Sequence, residues 1–242
     1  MQNHHRIFQF VMALIMSLAV LVTAAVAQGK KGNPQVLPPH SNAYGMSYGE
    51  WSAAWWQWAL SIPEARNPLY DTTGANCAEG QVGKVWFLAG TTQNGVPFTR
   101  TCDVPVGKAL FFPIVNIVFG SAVYDCDPTN PGVPCDVDVL RAGARAYTEP
   151  NVVELEATID GVDLRSLENY RAASTVFIVT IPDGGIWGIP EGIYSPNVSN
   201  GYWLMLTPMS RGEHTIHFKG TMNTYNPPFT AEVTYHLNVV DQ

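Results

Sequence analysis

Between Ser47 and Ile62 the chain reads SYGEWSAAWWQWALSI, and its apolar residues recur at helical spacing. At about 100° per residue, Tyr48, Trp51, Trp55, Trp58 and Ile62 fall in one stripe about 80° wide. Ser47 followed by Glu50 is a capping-box signature for a helix start, and Pro63 supplies the stop. Trp56 and Leu60 lie off the stripe, so the helix is apolar on more than one side and is expected to be buried. Trp51, Trp55 and Trp58 are the expected core residues.

Downstream the period shortens. Val85 to Ala89 is a brief apolar run ending at Gly90, as a buried strand is. Asn94-Gly95 is a hairpin signal, so Phe98 to Val104 is expected to return alongside that strand. Lys108 to Val118 reads as a long apolar strand with Pro113 at a bulge or an edge. Val137 to Tyr147 has helical composition, with Asp136 placed to cap it and Pro150 beyond its end. From Val152 onward the pattern is β. Val153, Leu155, Ala157 and Ile159 alternate with polar residues, and Asp160-Gly161 marks a hairpin turn. Further runs follow at Thr175 to Ile181, Tyr202 to Leu206, Glu213 to Lys219 and Ala231 to Val240.

This order of elements predicts a mainly β, α+β protein. The expected architecture is a β-sandwich, immunoglobulin-like in its C-terminal part, with a buried Trp-rich helix and a second short helix. Residues 44–242 form the expected single domain, with a possible sub-boundary near 149–150. Residues 28–43, polar and proline-containing, read as a flexible lead-in.

Residues 1–27 carry the marks of a signal peptide. Arg6 precedes the apolar run Ile7 to Val26, and Ala25-Val26-Ala27 is an A-x-A cleavage pattern. An uncleaved run would instead anchor the chain, which is the one membrane association foreseen. The expected location is outside the cytoplasm: secreted, periplasmic or at the cell surface. Removing residues 1–27 takes away only Arg6 of the 13 basic residues. That leaves 12 against 20 acidic residues, a net charge of −8. This balance argues against nucleic acid as a partner.

Four cysteines, Cys77, Cys102, Cys126 and Cys135, suit two disulfides in an exported chain. The preferred pairing is Cys77 with Cys102 and Cys126 with Cys135, each closing a local loop. The second loop carries Asp125, Asp127, Asp136 and Asp138. Bonding Cys126 to Cys135 draws these carboxylates together, and oxygen ligands of this kind suit Ca²⁺, the one cofactor suggested.

Other chemistry is sparser. Ser47, within Gly45-Met46-Ser47-Tyr48-Gly49, is explained as a helix cap rather than as a nucleophile. Glu154 and Glu156 share one strand face, as alternating surface residues do. His217 and His236 are candidates for one solvent face with Glu232 nearby. For a ligand-stacking aromatic, Trp187 in the glycine-rich DGGIWGIPEG is the main candidate, followed by Trp203. Asn197-Val198-Ser199 is a glycosylation sequon.

Two resemblances add to this. Leu206-Thr207-Pro208 through Gly212-Glu213-His214-Thr215-Ile216 resembles the turn between late strands of an immunoglobulin-like sandwich. His214 takes the place of the aromatic that hydrogen-bonds back to that turn. The strings EWSAAWWQWALSIP, GKVWFLAG, RTCDVPVGKALFFPIVN, IDGV and GEHTIHFKG together resemble a family of exported, uncharacterised microbial proteins. That resemblance implies an exported, mixed β protein and implies no activity. The functional expectation is a non-enzymatic structural or binding module at the cell surface or outside the cell, with a glycan or another surface protein as partner. The alternatives are a carbohydrate-binding or carbohydrate-acting protein and a calcium-stabilised adhesion module.

Overall fold

The computed structural model describes residues 33, 35–123 and 135–241. The expected signal peptide, Asp125, Cys126 and Asp127 lie outside the described residues.

Helix α1 spans Tyr48–Leu60 and starts on the foreseen capping box. The Ser47 hydroxyl accepts from the Glu50 amide at 3.3 Å, and Glu50 Oε2 accepts from the Ser47 amide and hydroxyl, both at 2.7 Å. These bonds, from the backbone first and then the hydroxyl, hold the Glu50 carboxyl below its ordinary pKa. Trp55 and Trp58 are buried, whereas Trp51 is partly exposed and packs against the core. Three of the four helix tryptophans tie α1 to neighbouring backbone. Trp51 Nε1 donates to Ala43 O at 2.8 Å, Trp55 Nε1 to Leu88 O at 3.0 Å, and Trp58 Nε1 to Glu79 O at 2.8 Å.

Among the described residues ten strands form two sheets. The first contains β1 (Val85–Phe87), β3 (Ala109–Gly120) and β8 (Gly192–Leu206) in that order. On the far edge of β8 lie β6 (Arg171–Ala173) and β7 (Phe177–Ile181). The second runs β2 (Phe98–Pro105), β10 (Phe229–Val240), β9 (Gly212–Met222), β4 (Val152–Ile159), β5 (Val162–Asp163). Helix α2, Val137–Thr148, is capped by Asp136 as expected.

The first sheet is the middle layer of three. On one face Phe111 stacks on Trp203 at 5.3 Å, and Trp55 meets Trp203 at 5.5 Å. On the other face Phe112 stacks on Phe218 of the second sheet at 5.0 Å. Burial on both faces explains why β3 reads as an unbroken apolar run rather than an alternating one. Pro113 sits at the foreseen bulge, where the pairing of β3 with β8 shifts register between Pro113 and Val115. The mainly β, sandwich-like fold with two helices is thus present.

The expected hairpin at Asn94-Gly95 does not form. β1 pairs in parallel with β3, and β2 pairs in parallel with β10 of the other sheet, so residues 90–97 cross between sheets. The Asn-Gly turn docks on β10 instead: Asn94 Oδ1 accepts from the Thr230 amide at 2.8 Å, and the Gly95 amide donates to Thr230 O at 2.9 Å. A local turn signal does not decide the pairing here, because each flanking strand joins a different sheet. The Asp160-Gly161 turn does join β4 to β5, with both residues at positive φ. In β4 a register shift between Val152 and Glu154 leaves Val153 exposed, against the expected alternation.

Residues 35–43, expected as part of a flexible lead-in, are anchored. Val36 bridges to Leu206, the Leu37 amide donates to Met205 O at 2.8 Å, and the Tyr48 hydroxyl donates to Leu37 O at 2.7 Å. No break falls near 149–150, because Gln35–Gln242 forms one compact unit.

Candidate ligand pocket

The pocket begins where β1 ends. The Leu88 amide still donates to Phe111 O at 3.1 Å, but the next residue leaves the sheet. Tyr235 from β10 holds Ala89 through its hydroxyl, which donates to Ala89 O at 2.9 Å and accepts from the Ala89 amide at 3.0 Å. Arg100 from β2 donates through Nη1 to Ala89 O and to the Tyr235 oxygen, each at 2.7 Å, and through Nε to Asp71 O at 2.6 Å. Arg100 is 1% exposed, with Phe98 and Tyr235 rings 5.1 and 5.4 Å from its guanidinium carbon. Burying a cation is costly unless its donors are met. The bonds from Nε and Nη1 offset part of that cost and fix one backbone corner, while Nη2 has no partner among the described residues. Burial raises the Tyr235 phenol pKa above its ordinary value, against the lowering effect of Arg100.

Drawn aside in this way, Gly90, Thr91 and Thr92 form a wall of a cavity of about 260 Å³ instead of pairing with β3. Six consecutive β3 residues, Pro113 to Val118, line it, so the cavity runs along the strand edge and touches both faces. Trp55, Trp56 and Leu69 form the side towards α1, and Met222, Tyr225, Phe229 and Ala231 form the side towards the second sheet. Among the described lining residues none is charged, and Thr91, Thr92 and Asn116 are the aliphatic polar side chains. Thr91 Oγ1 is already engaged by the Gln93 amide at 3.0 Å.

Trp187 contributes to the same lining and is 41% exposed. It has φ 60°, in the left-handed region, although it carries a large side chain. Such a conformation costs on the order of 1–3 kcal/mol and persists only where its surroundings impose it. Here Ile186 beside it is fully buried, the Glu64 amide donates to Gly184 O at 2.8 Å, and the ring lies 6.2 Å from Trp56. The Tyr70 hydroxyl interacts with the Thr92 side chain and the Trp187 backbone, and burial followed by nearby Glu64 raises its pKa.

The other expected site residues are elsewhere. Trp203 is 0% exposed between Phe111 and Trp55, so it offers no surface to a ligand from solvent. Its position in the middle layer, buried on both faces, is the reason. Glu154 lies on the outer face of the second sheet, bonded by Lys219 at 2.9 Å and Thr221 at 2.7 Å. Those bonds lower its pKa, and Trp187, Trp203 and Glu154 do not converge on one cleft. Asp136 Oδ1 accepts from the Asp138 and Val139 amides, and both aspartates are exposed. Among the described residues no group of three metal-ligating side chains is present. His217 meets Glu232 at 3.3 Å and His236 meets Thr215 at 3.4 Å, so the two histidines have separate partners. Asn197 of the sequon is fully buried, donating to Tyr194 O at 2.9 Å.

Cys77 and Cys102 are bonded, as foreseen. Cys135 is also disulfide-bonded, and no free cysteine is present among the described residues. His214 Nε2 lies 2.9 Å from Ser210 O, and its Nδ1 lies 2.8 Å from Asp160 Oδ2. The turn therefore has the back-bond expected of it, made by an imidazole.

Sequence reasoning pointed to Trp187 but missed Trp56 and the β3 edge as lining. The signal present was Pro113 inside an apolar run, which marks a strand edge without showing what faces it. Compared with known proteins, the chain matches no family model, no curated protein and no solved structure.

Proposed function

We propose that this is an exported, non-enzymatic binding module that holds an uncharged, largely apolar ligand in the pocket beside β3. The observation that carries this reading is an aromatic-lined cavity with no charged residue among its described lining, and with a partly exposed Trp187 held at positive φ. Ligand sites are typically concave and mostly apolar with a few polar groups. An apolar cavity of about 150 Å³ is enough for benzene, so about 260 Å³ leaves room for two fused rings. A sugar fits less well, because each buried hydroxyl wants a partner and the lining offers few. Export is supported by the A-x-A pattern at Ala25-Val26-Ala27 and by the Cys77–Cys102 disulfide.

The test is calorimetric titration of the mature protein with 2-ethylnaphthalene. Saturable binding is expected, weakened at least about threefold by Trp187→Ala through loss of an aromatic contact. Absence of heat up to the solubility limit of the probe refutes the pocket as a ligand site. Sequencing the N-terminus of the exported protein should give a chain starting at Gln28.

A further inference from the structure

The four tryptophans of α1 differ in one respect. The indole N–H groups of Trp51, Trp55 and Trp58 each donate to a backbone carbonyl. Trp56 Nε1 is buried and has no acceptor among the described residues, and Trp56 is 5% exposed. Trp56 is also the pocket-lining residue next to Trp187. Asn116, on the β3 edge of the same pocket, likewise has its Nδ2 buried without a partner.

A buried donor left unmet is expensive, and native structures rarely keep one without a reason. Two of the six buried side-chain polar atoms without partners among the described residues belong to residues of this one pocket. Both are donors. From this we infer that the ligand of the pocket is a neutral aromatic molecule bearing a hydrogen-bond acceptor, a ketone or ester oxygen, that takes the N–H of Trp56 and the amide of Asn116. The inference rests on the pocket reading above and deepens it from apolar bulk to a chemical class. A charged acceptor such as a carboxylate is excluded, because no cation among the described lining residues balances it.

The test compares 2-acetylnaphthalene with 2-ethylnaphthalene, two probes of nearly equal shape of which only the first has an acceptor. The ketone is expected to bind about three- to tenfold more tightly to the natural protein, as one net hydrogen bond gives. Trp56→Phe keeps a ring and removes the donor. The ratio of ketone to hydrocarbon affinity should fall in this variant to the part that Asn116 Nδ2 supplies, whatever the smaller ring does to the affinity of both probes. In proton NMR the ketone alone should move one indole N–H resonance downfield, the resonance that Trp56→Phe removes. If the hydrocarbon binds and the ketone binds no better, the acceptor inference is overturned and the pocket stands. If neither binds, the pocket and the inference fall together. Should Trp56→Phe not fold, the ratio of the two probes on the natural protein decides by itself.

Discussion

Replacing Tyr235 with Phe deletes one oxygen atom from the interior and leaves two donors to be accounted for. The hydroxyl accepts from the Ala89 amide and from Arg100 Nη1, and it donates to Ala89 O. After the change Ala89 O still receives Arg100 Nη1, so no acceptor is stranded. The Ala89 amide, in a residue 1% exposed, has no other partner among the described residues. A buried donor left unmet costs about 1–3 kcal/mol, and a bond to a charged group contributes about 1.5–3 kcal/mol. Arg100 keeps Asp71 O and Ala89 O but already has Nη2 without a partner. The two losses together come to about 4 kcal/mol. For a domain of this size each kcal/mol lowers Tm by about 2–4 °C, so a fall of about 8–16 °C is expected. Urea unfolding followed by tryptophan fluorescence gives the free energy directly. Tyr194→Phe is the control, since its exposed hydroxyl donates to Pro190 O at 2.9 Å. Exposed changes of that kind cost about 0.5 kcal/mol or less. A Tyr235→Phe loss no larger than the control would refute the claim that Arg100 and Tyr235 hold the corner at Ala89.

The remaining predictions concern His214 and the disulfide. Both ring nitrogens of His214 face acceptors, which favours the imidazolium. Partial burial lowers its pKa, but the hydrogen bonds to Asp160 and Ser210 and the Asp160 charge outweigh it, and the net shift is upward. A raised folded pKa gives stability that is fully present below the unfolded value of about 6.5 and is lost as pH rises through the folded value. The urea midpoint of the natural protein should therefore exceed that of His214→Asn by a margin that shrinks with rising pH; a margin independent of pH would contradict the arrangement. Replacing Cys77 and Cys102 together by Ser opens a loop of sequence separation 25. In the chain-entropy account that costs about 3.5 kcal/mol, and an unchanged urea midpoint would show that the bond contributes nothing.

The parts of this protein that the chain makes plain are those set by neighbours in sequence. The Ser47–Glu50 cap, the Asp136 cap, the Asp160-Gly161 turn and the bulge at Pro113 each depend on contacts within a few residues. Burial of the Trp helix follows in the same way, from the width of its apolar surface. What was misread depends on pairing. Asn94-Gly95 looks like a hairpin because a turn signal says nothing of which sheet each flanking strand joins. Trp203 alternates in its strand, yet the face it would show to solvent is covered by α1.

The ligand pocket lies on the tertiary side of that division. Trp187 stands out in the chain as an aromatic among glycines, but nothing local places it against Trp56. The cavity exists because Arg100 and Tyr235, 135 residues apart, pull Ala89 out of line with β3. Composition and the leader-like start bear on compartment and core size, since those depend on residue content and local pattern. Which donors are met and which wait for an acceptor is decided by long-range packing. The indole N–H of Trp56 is like its three neighbours in the helix until the fold assigns them carbonyls and leaves it without one.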